Sequence, residues 1–386
     1  MDTSLQSLIN GVQATSHSLD EAGRKTLFNA LQRLSWSIES PFDAMQRIAY
    51  SQLTLHSIKV GVDMKLFEAL ASSDKPLTTE DLQQKTGASY DIVDRYCRHL
   101  AGIGALSEPG EHCWQANELT KTLTIPGWAS LISHNHDLVG PICQVAPAWL
   151  KERNYAPIDN ALDTPFHKAF DFQGLLFTWF QQQPVPMSNF MQFMMIQRGS
   201  QPKCFDTYPI KQKAEGLRAD QAFFVDIGGN AGHQAVAVRE LLPQLPNKIV
   251  NEDLEQTLAI GIQHPGIEHL AQDFFQPQAI EGARVYYLRN VLHDWSDELS
   301  TKILSNTREA MADPESVILI DEIVLPESKV AWQASQVDLE MMLCLAAKER
   351  SIEQWKKVIA NAGLKIKKIY TYTLSFNDSI IECVPA

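Results

Sequence analysis

The chain has 386 residues, 45% hydrophobic and 20% charged, with a formal net charge of −13. That length predicts two or three packed domains. The acidic balance argues against a nucleic-acid backbone or an anionic membrane as the main partner, since both require clustered Lys and Arg.

The opening Met1-Asp2-Thr3-Ser4-Leu5 lacks a basic-then-apolar signal pattern, and no apolar run is long enough to cross a bilayer. Six cysteines without C-x-x-C spacing predict free thiols in a reducing, cytoplasmic setting. Leu5, Leu8, Ile9 and Val12, then Leu27, Leu31 and Leu34, recur at helical spacing. Ser40-Pro41 opens a further helix by placing proline at its first position. Such stripes serve a core or cover a second subunit.

From residue 77 the pattern changes. Thr78 can cap a helix running to Lys85, and Gly87-Ala-Ser-Tyr90 opens a second helix reaching Ile103. Gly104 to Ser107, the Pro109-Gly110 turn and Cys113 to Ala116 predict a small β wing, so residues 75–120 form a winged helix. The second helix sets Asp91 and Asp94 against Arg95, Arg98 and His99, too balanced to grip phosphates, and packing is favoured over DNA binding.

Residues 121–215 are predicted helical, aromatic-rich and broken by prolines. Their polar island is Ser133-His134-Asn135-His136-Asp137. No cysteine or further histidine lies close in sequence, and helical residues on either side of a single spacer face different ways, so no metal is predicted. His134 is either a solvated or core-satisfied histidine or a substrate-pocket one. Phe177 belongs to a run of Phe and Met that must be mostly core, although a flat aromatic substrate would suit such walls.

Beyond residue 216 strand and helix alternate, which predicts an α/β sheet. Ala222 to Val225 is a buried strand, and Asp226-Ile-Gly228-Gly229-x-x-Gly232 turns it into a helix. An acid at that strand end repels a pyrophosphate but suits a cationic ligand, such as the sulfonium amino-acid end of S-adenosylmethionine. Asp253 ends the second strand about 20 residues past the glycines, where a carboxylate catches ribose hydroxyls. Asp273 can accept from an adenine amino group and Phe274 can stack on its ring. The fourth strand, Arg284 to Arg289, leads to His293-Asp294, and the fifth runs from Val317 to Glu322. Lys365 to Ser375 and Ser379 to Val384 predict an antiparallel hairpin at the edge. His293, whose ordinary pKa lies near ~6.5, is the candidate general base. Glu322 and Glu349 are candidates to hold its ring, and Glu349 could equally cap a helix or pair with Arg350.

Taken together, Asp226-Ile-Gly228-Gly229-x-x-Gly232, Asp253, Asp273-Phe274, Leu288-Arg-Asn-Val-Leu-His293-Asp294-Trp295, Asp321-Glu322 and Lys348-Glu349-Arg350-Ser351 resemble the motifs of S-adenosylmethionine-dependent O-methyltransferases of the caffeate and flavonoid type, in their fungal secondary-metabolism branch. The resemblance spans Ser37 to Tyr370. It implies a Rossmann-like class I methyltransferase sheet at 216–386, an N-terminal all-helical and winged-helix dimerisation domain at 1–125, and a helical linker with the substrate pocket at 126–215. It implies a homodimer with a small-molecule substrate, S-adenosylmethionine held by Asp226, Gly228, Gly229, Asp253, Asp273, Phe274 and Arg289, and a catalytic set of His293, Glu322 and Glu349. His134, Asp294, Met342 and Phe177 become the candidate substrate contacts. Asn230 departs from the commonest glycine-rich loop.

The same branch resembles, in part, pericyclases that keep the cofactor without transferring its methyl and carry out dehydration with hetero-Diels–Alder or Alder-ene cyclisation of 2-pyridone alkaloid precursors. Ile125-Pro126-Gly127 and Glu152-Arg-Asn-Tyr155 align His134 with their pocket histidine, whereas His293 and Glu322 stand where those enzymes depart from the methyl-transfer set. The resemblance therefore implies methyl transfer to a phenol or enol, with cyclisation as the alternative.

Overall fold

The computed structural model describes residues 3–196, 202–259 and 261–386, so residues 197–201 of the predicted aromatic-rich helical stretch lie outside it. Among the described residues, 3–155 with 165–196 form one compact unit, and 156–164 with those from 202 to 386 form another.

The first unit opens on helices Thr3–Ser18, Glu21–Ile38 and Pro41–Ala49. Helices Thr79–Thr86 and Tyr90–Gly102 then stand with a three-stranded antiparallel sheet of β1 (Leu77–Thr78), β2 (Ser107–Gly110) and β3 (Cys113–Gln115), in the order β1-β3-β2. Thr78 starts the first of these helices through a reciprocal capping box with Asp81. Phe67, Leu82, Val93, Leu100 and Trp114 are buried together as the core. Asp94 is buried and accepts from Thr79, from His112 at 2.7 Å and from Arg98 at 2.7 Å, while Arg95 pairs with Asp91 at 3.0 Å. Arg95 and Arg98 of the second helix are thus each matched to an acid one turn earlier.

The second unit is built on β4 (Phe224–Ile227), β5 (Ile249–Asp253), β6 (Glu268–Ala271), β7 (Val285–Arg289), β8 (Val317–Leu325), β9 (Arg350–Ser351), β10 (Leu364–Thr371) and β11 (Asp378–Pro385). Among the described residues these make an eight-stranded sheet in the order β10-β11-β8-β7-β4-β5-β6, with β9 paired to the far end of β8. β4 to β9 run parallel, and β11 enters antiparallel beside β8 with β10 at the edge. The parallel strands are apolar on both faces because helices cover both. Val225, Leu288 and Ile320 pack on one face with Trp355, while Phe224, Tyr287 and Leu319 pack on the other. The chain order reverses between β4 and β7, which opens a crevice at the carboxyl ends of the strands.

Candidate active site

The loop after β4 is shaped by three positive-φ positions. Gly228 sits at φ 69°, Asn230 at 52° and Gly232 at 88°. A Cβ on Gly229 would collide with Asn251 Oδ1 and the Asp226 carboxylate. Asn230 takes the left-handed conformation that asparagine tolerates best after glycine, so its departure from a glycine-rich loop is accommodated. Its N–H donates to Asp253 Oδ2 at 2.9 Å, and Asn251 Nδ2 ties its carbonyl at 3.0 Å. Asp226 is buried beneath the loop and accepts from Ala235 N–H at 3.2 Å, in the first turn of helix His233–Leu241. Burial pushes its carboxyl up to about 7.

Asp253 accepts from Asn230 and from Leu254 N–H at 2.8 Å, which leaves it lone pairs for further donors. Asp273 is exposed and accepts from Phe275 N–H at 2.9 Å. Phe274 packs edge-on to Phe275 and Trp295. Arg289 extends from the end of β7 to 3.7 Å from Asp321, whose carboxylate also accepts from Tyr287 and, at 2.7 Å, from Tyr372.

His293 occupies a single 3₁₀ turn, Leu292–Asp294, reached from β7 through Asn290 at φ 50°. Its Nδ1 lies 3.0 Å from Glu349 Oε1 and 3.9 Å from Glu322 Oε2, and its Nε2 lies 3.6 Å from Asp294. An ionised carboxylate only accepts, so Nδ1 donates and a neutral ring presents Nε2 as its acceptor. Burial disfavours charge on the ring, but Glu322, Asp294 and Glu349 outweigh it and hold the imidazole well above its ordinary pKa. Burial in turn pushes Glu322 up to about 7 and raises Asp294, against the pull of His293. Glu322 Oε1 accepts from the N–H groups of Val291 and Leu292 at 2.9 Å and of His293 at 3.4 Å. Asp338 accepts from Glu349 N–H at 2.9 Å, and Met342 stands one turn further along the same helix, Trp332–Leu345. Among the described residues, His293, Glu322 and Glu349 form the one group of three potential metal ligands within 4.8 Å of one another.

His134 is buried in the first unit, with its ring 5.7 Å from Phe193 and 5.8 Å from Phe190. Phe177 meets the same aromatic cluster, 6.3 Å from Phe190, and is 44% exposed. His136 turns elsewhere, bonding Asp137 at 2.7 Å.

Sequence reasoning missed Asn251 and Asp338, and quoted Asp321 only within a motif, without a role. Asn251, followed directly by Glu252 and Asp253, carried no signal that set it apart from them. Arg350 was quoted only as a neighbour of Glu349.

The residues present fit a nucleoside bearing a cationic sulfur. A glycine-shaped loop stands beside an available carboxylate at Asp253, Glu252 Oε1 is buried without a partner, and buried acids supply negative charge.

Three findings connect this geometry to known proteins. Residues 155–365 match the O-methyltransferase domain model and residues 48–125 the O-methyltransferase dimerisation domain. Demethylsterigmatocystin 6-O-methyltransferase of Aspergillus parasiticus is 35% identical over 95% of this chain and 94% of its own. Two solved structures, one of a pericyclic reaction enzyme and one of LepI in complex with SAM, each superpose with a TM-score of 0.92 at 30% identity over 99% of both chains. With a family model across more than half its length and relatives aligned nearly end to end, this chain belongs to the O-methyltransferase family.

Proposed function

We propose that this protein is an S-adenosylmethionine-dependent O-methyltransferase of secondary metabolism that acts on a phenol or enol hydroxyl of a polyketide or alkaloid. What supports this most directly is the 3.0 Å bond from His293 Nδ1 to Glu349, which orients Nε2 to take a hydroxyl proton. S-adenosylmethionine, when bound, supplies a methyl electrophile on a cationic sulfur. Gly228, Gly229, Asp253, Asp273 and Phe274 would hold it, with Asp226 and Arg289 beneath. Asp294, 3.6 Å from His293 Nε2, and Met342 would be substrate contacts. For the ring to act as a base it must lose the proton that three carboxylates favour, and a cation in the same crevice opposes that proton by Coulomb repulsion.

The imidazolium itself supports a second reading. A ring held protonated is a general acid, suited to dehydration and to pericyclic closure of a 2-pyridone alkaloid precursor, for which His134 is the further residue to test. Mass spectrometry with candidate phenols and enols separates the two. Gain of one methyl supports transfer, whereas loss of water or isomerisation at unchanged methyl count supports cyclisation. Calorimetry showing no S-adenosylmethionine binding would remove both.

A homodimer fits the dimerisation domain and the exposed Leu8, Trp36, Ile38, Phe42 and Ile48 of the first three helices. No helix is long and apolar enough to cross a membrane. A cytoplasmic setting fits Cys97, Cys204 and Cys383, all buried as thiols.

A further inference from the structure

Three consecutive residues meet the turn that carries His293. Lys348 N–H points to His293 O at 3.4 Å, Glu349 bonds the ring, and Arg350, fully buried, reaches past both. Its Nη1 donates to Leu292 O at 2.7 Å, and its Nη2 donates to Trp295 O at 2.6 Å and reaches Ser300 Oγ at 3.1 Å. Its Nε donates to Asp297 at 2.9 Å, and its plane lies 5.1 Å from the Trp355 ring centre. Ser300 Oγ lies 3.1 Å from Leu292 O and 3.3 Å from Trp295 O, so the hydroxyl and the guanidinium share the same two carbonyls. At the opposite end of the turn, Glu322 collects the N–H groups of Val291, Leu292 and His293.

The turn is therefore held by an anion at its N–H end and a cation at its carbonyl end, the arrangement its peptide dipoles favour. We propose that Arg350 is a positioning residue that sets the angle of the His293 ring, by fastening the carbonyls of Leu292 and Trp295 to the same strand start that carries Glu349. A planar fork can serve two carbonyls, a hydroxyl and a carboxylate at once. A lysine ammonium has the charge but not the fork.

Arg350→Lys in the full chain tests this with charge retained, and Ser300→Ala removes only the bridging hydroxyl. The inference rests on the methyl-transfer reading for turnover alone. The titration of His293, followed by NMR of isotope-labelled histidine, needs no substrate. In Arg350→Lys, kcat is expected to fall about 100-fold, as for an ångström-scale misplacement of a catalytic group, with both KM values and S-adenosylmethionine affinity within twofold. The His293 titration should move down toward its ordinary range as the ring leaves Glu322 and Glu349. In Ser300→Ala the same changes should appear at a few-fold in kcat. A folded Arg350→Lys protein with wild-type kcat and wild-type His293 titration overturns the proposal. Should that variant not fold, Ser300→Ala with both readouts unchanged overturns it equally. If the wild type transfers no methyl, the methyl-transfer reading fails and the titrations still decide on Arg350.

Discussion

The proposed chemistry concentrates on His293. Replacement by asparagine keeps a donor to Glu349 and removes the basic nitrogen. It should lower kcat by roughly 10²–10⁴-fold, the usual worth of a general base, while calorimetry finds S-adenosylmethionine affinity unchanged. Glu349→Gln removes one of the charges that hold the ring protonated. For a base, kcat/KM rises as the imidazolium loses its proton, so the acid limb of the pH–rate profile should shift to lower pH in this variant as its plateau falls. A limb that stays in place would show that Glu349 does not govern the ring. Proton removal by a histidine base calls for no metal ion, so wild-type turnover should be unchanged in excess chelator.

The loop from Gly228 to Gly232 makes a prediction at the scale of an element. Gly229→Ala places a methyl group against Asn251 Oδ1 and Asp226, both fixed by their own bonds, and should cut S-adenosylmethionine affinity at least tenfold by calorimetry. Asn230→Gly keeps the left-handed conformation at no steric cost and retains the N–H to Asp253, so affinity should stay within a few-fold of wild type. The apolar strands and the turn glycines were legible because a short continuous apolar run and a positive φ are local demands. The cap at Thr78 and the hairpin of β10 and β11 were legible for the same reason. Asp226 shows where that legibility stops. The sequence predicts Asp226 just past a strand of Ala222 to Val225; the strand instead runs Phe224–Ile227 with Asp226 inside it, and only the packing of helix His233–Leu241 onto β4 makes it an acceptor for Ala235.

For the molecule as a whole, buried acids couple stability to pH. Burial pushes Asp226, Glu252 and Glu322 up to about 7, each above its ordinary value, so the folded chain keeps protons that the unfolded chain releases. The stability they contribute is complete below about pH 4 and is lost as pH rises through about 7. Thermal unfolding should therefore show Tm falling from pH 5 to pH 8, absent a bound cation. Glu252→Gln keeps an acceptor for Gln278 Nε2, removes the charge, and should flatten that slope while raising Tm at pH 8. An unchanged slope would refute the assignment to Glu252. The exposed apolar helices predict, at the same scale, a light-scattering mass near twice that of the 43.3 kDa chain.

The amino-acid sequence alone determined the α/β class and the crevice at the strand ends, and offered His293 as a candidate base with Glu322 and Glu349 as candidates to hold its ring, because apolar runs, glycine spacing and side-chain chemistry are written residue by residue. Only the tertiary structure decided that two carboxylates converge on one ring nitrogen. Glu322 follows from the parallel register that sets Arg289 against Asp321, and Glu349 from β9 pairing with the end of β8, at a sequence separation of 56 from His293. The task of Arg350 was likewise invisible in the sequence, since an arginine beside a glutamate reads as an ion pair until burial denies it water and the carbonyls of a distant turn become its partners.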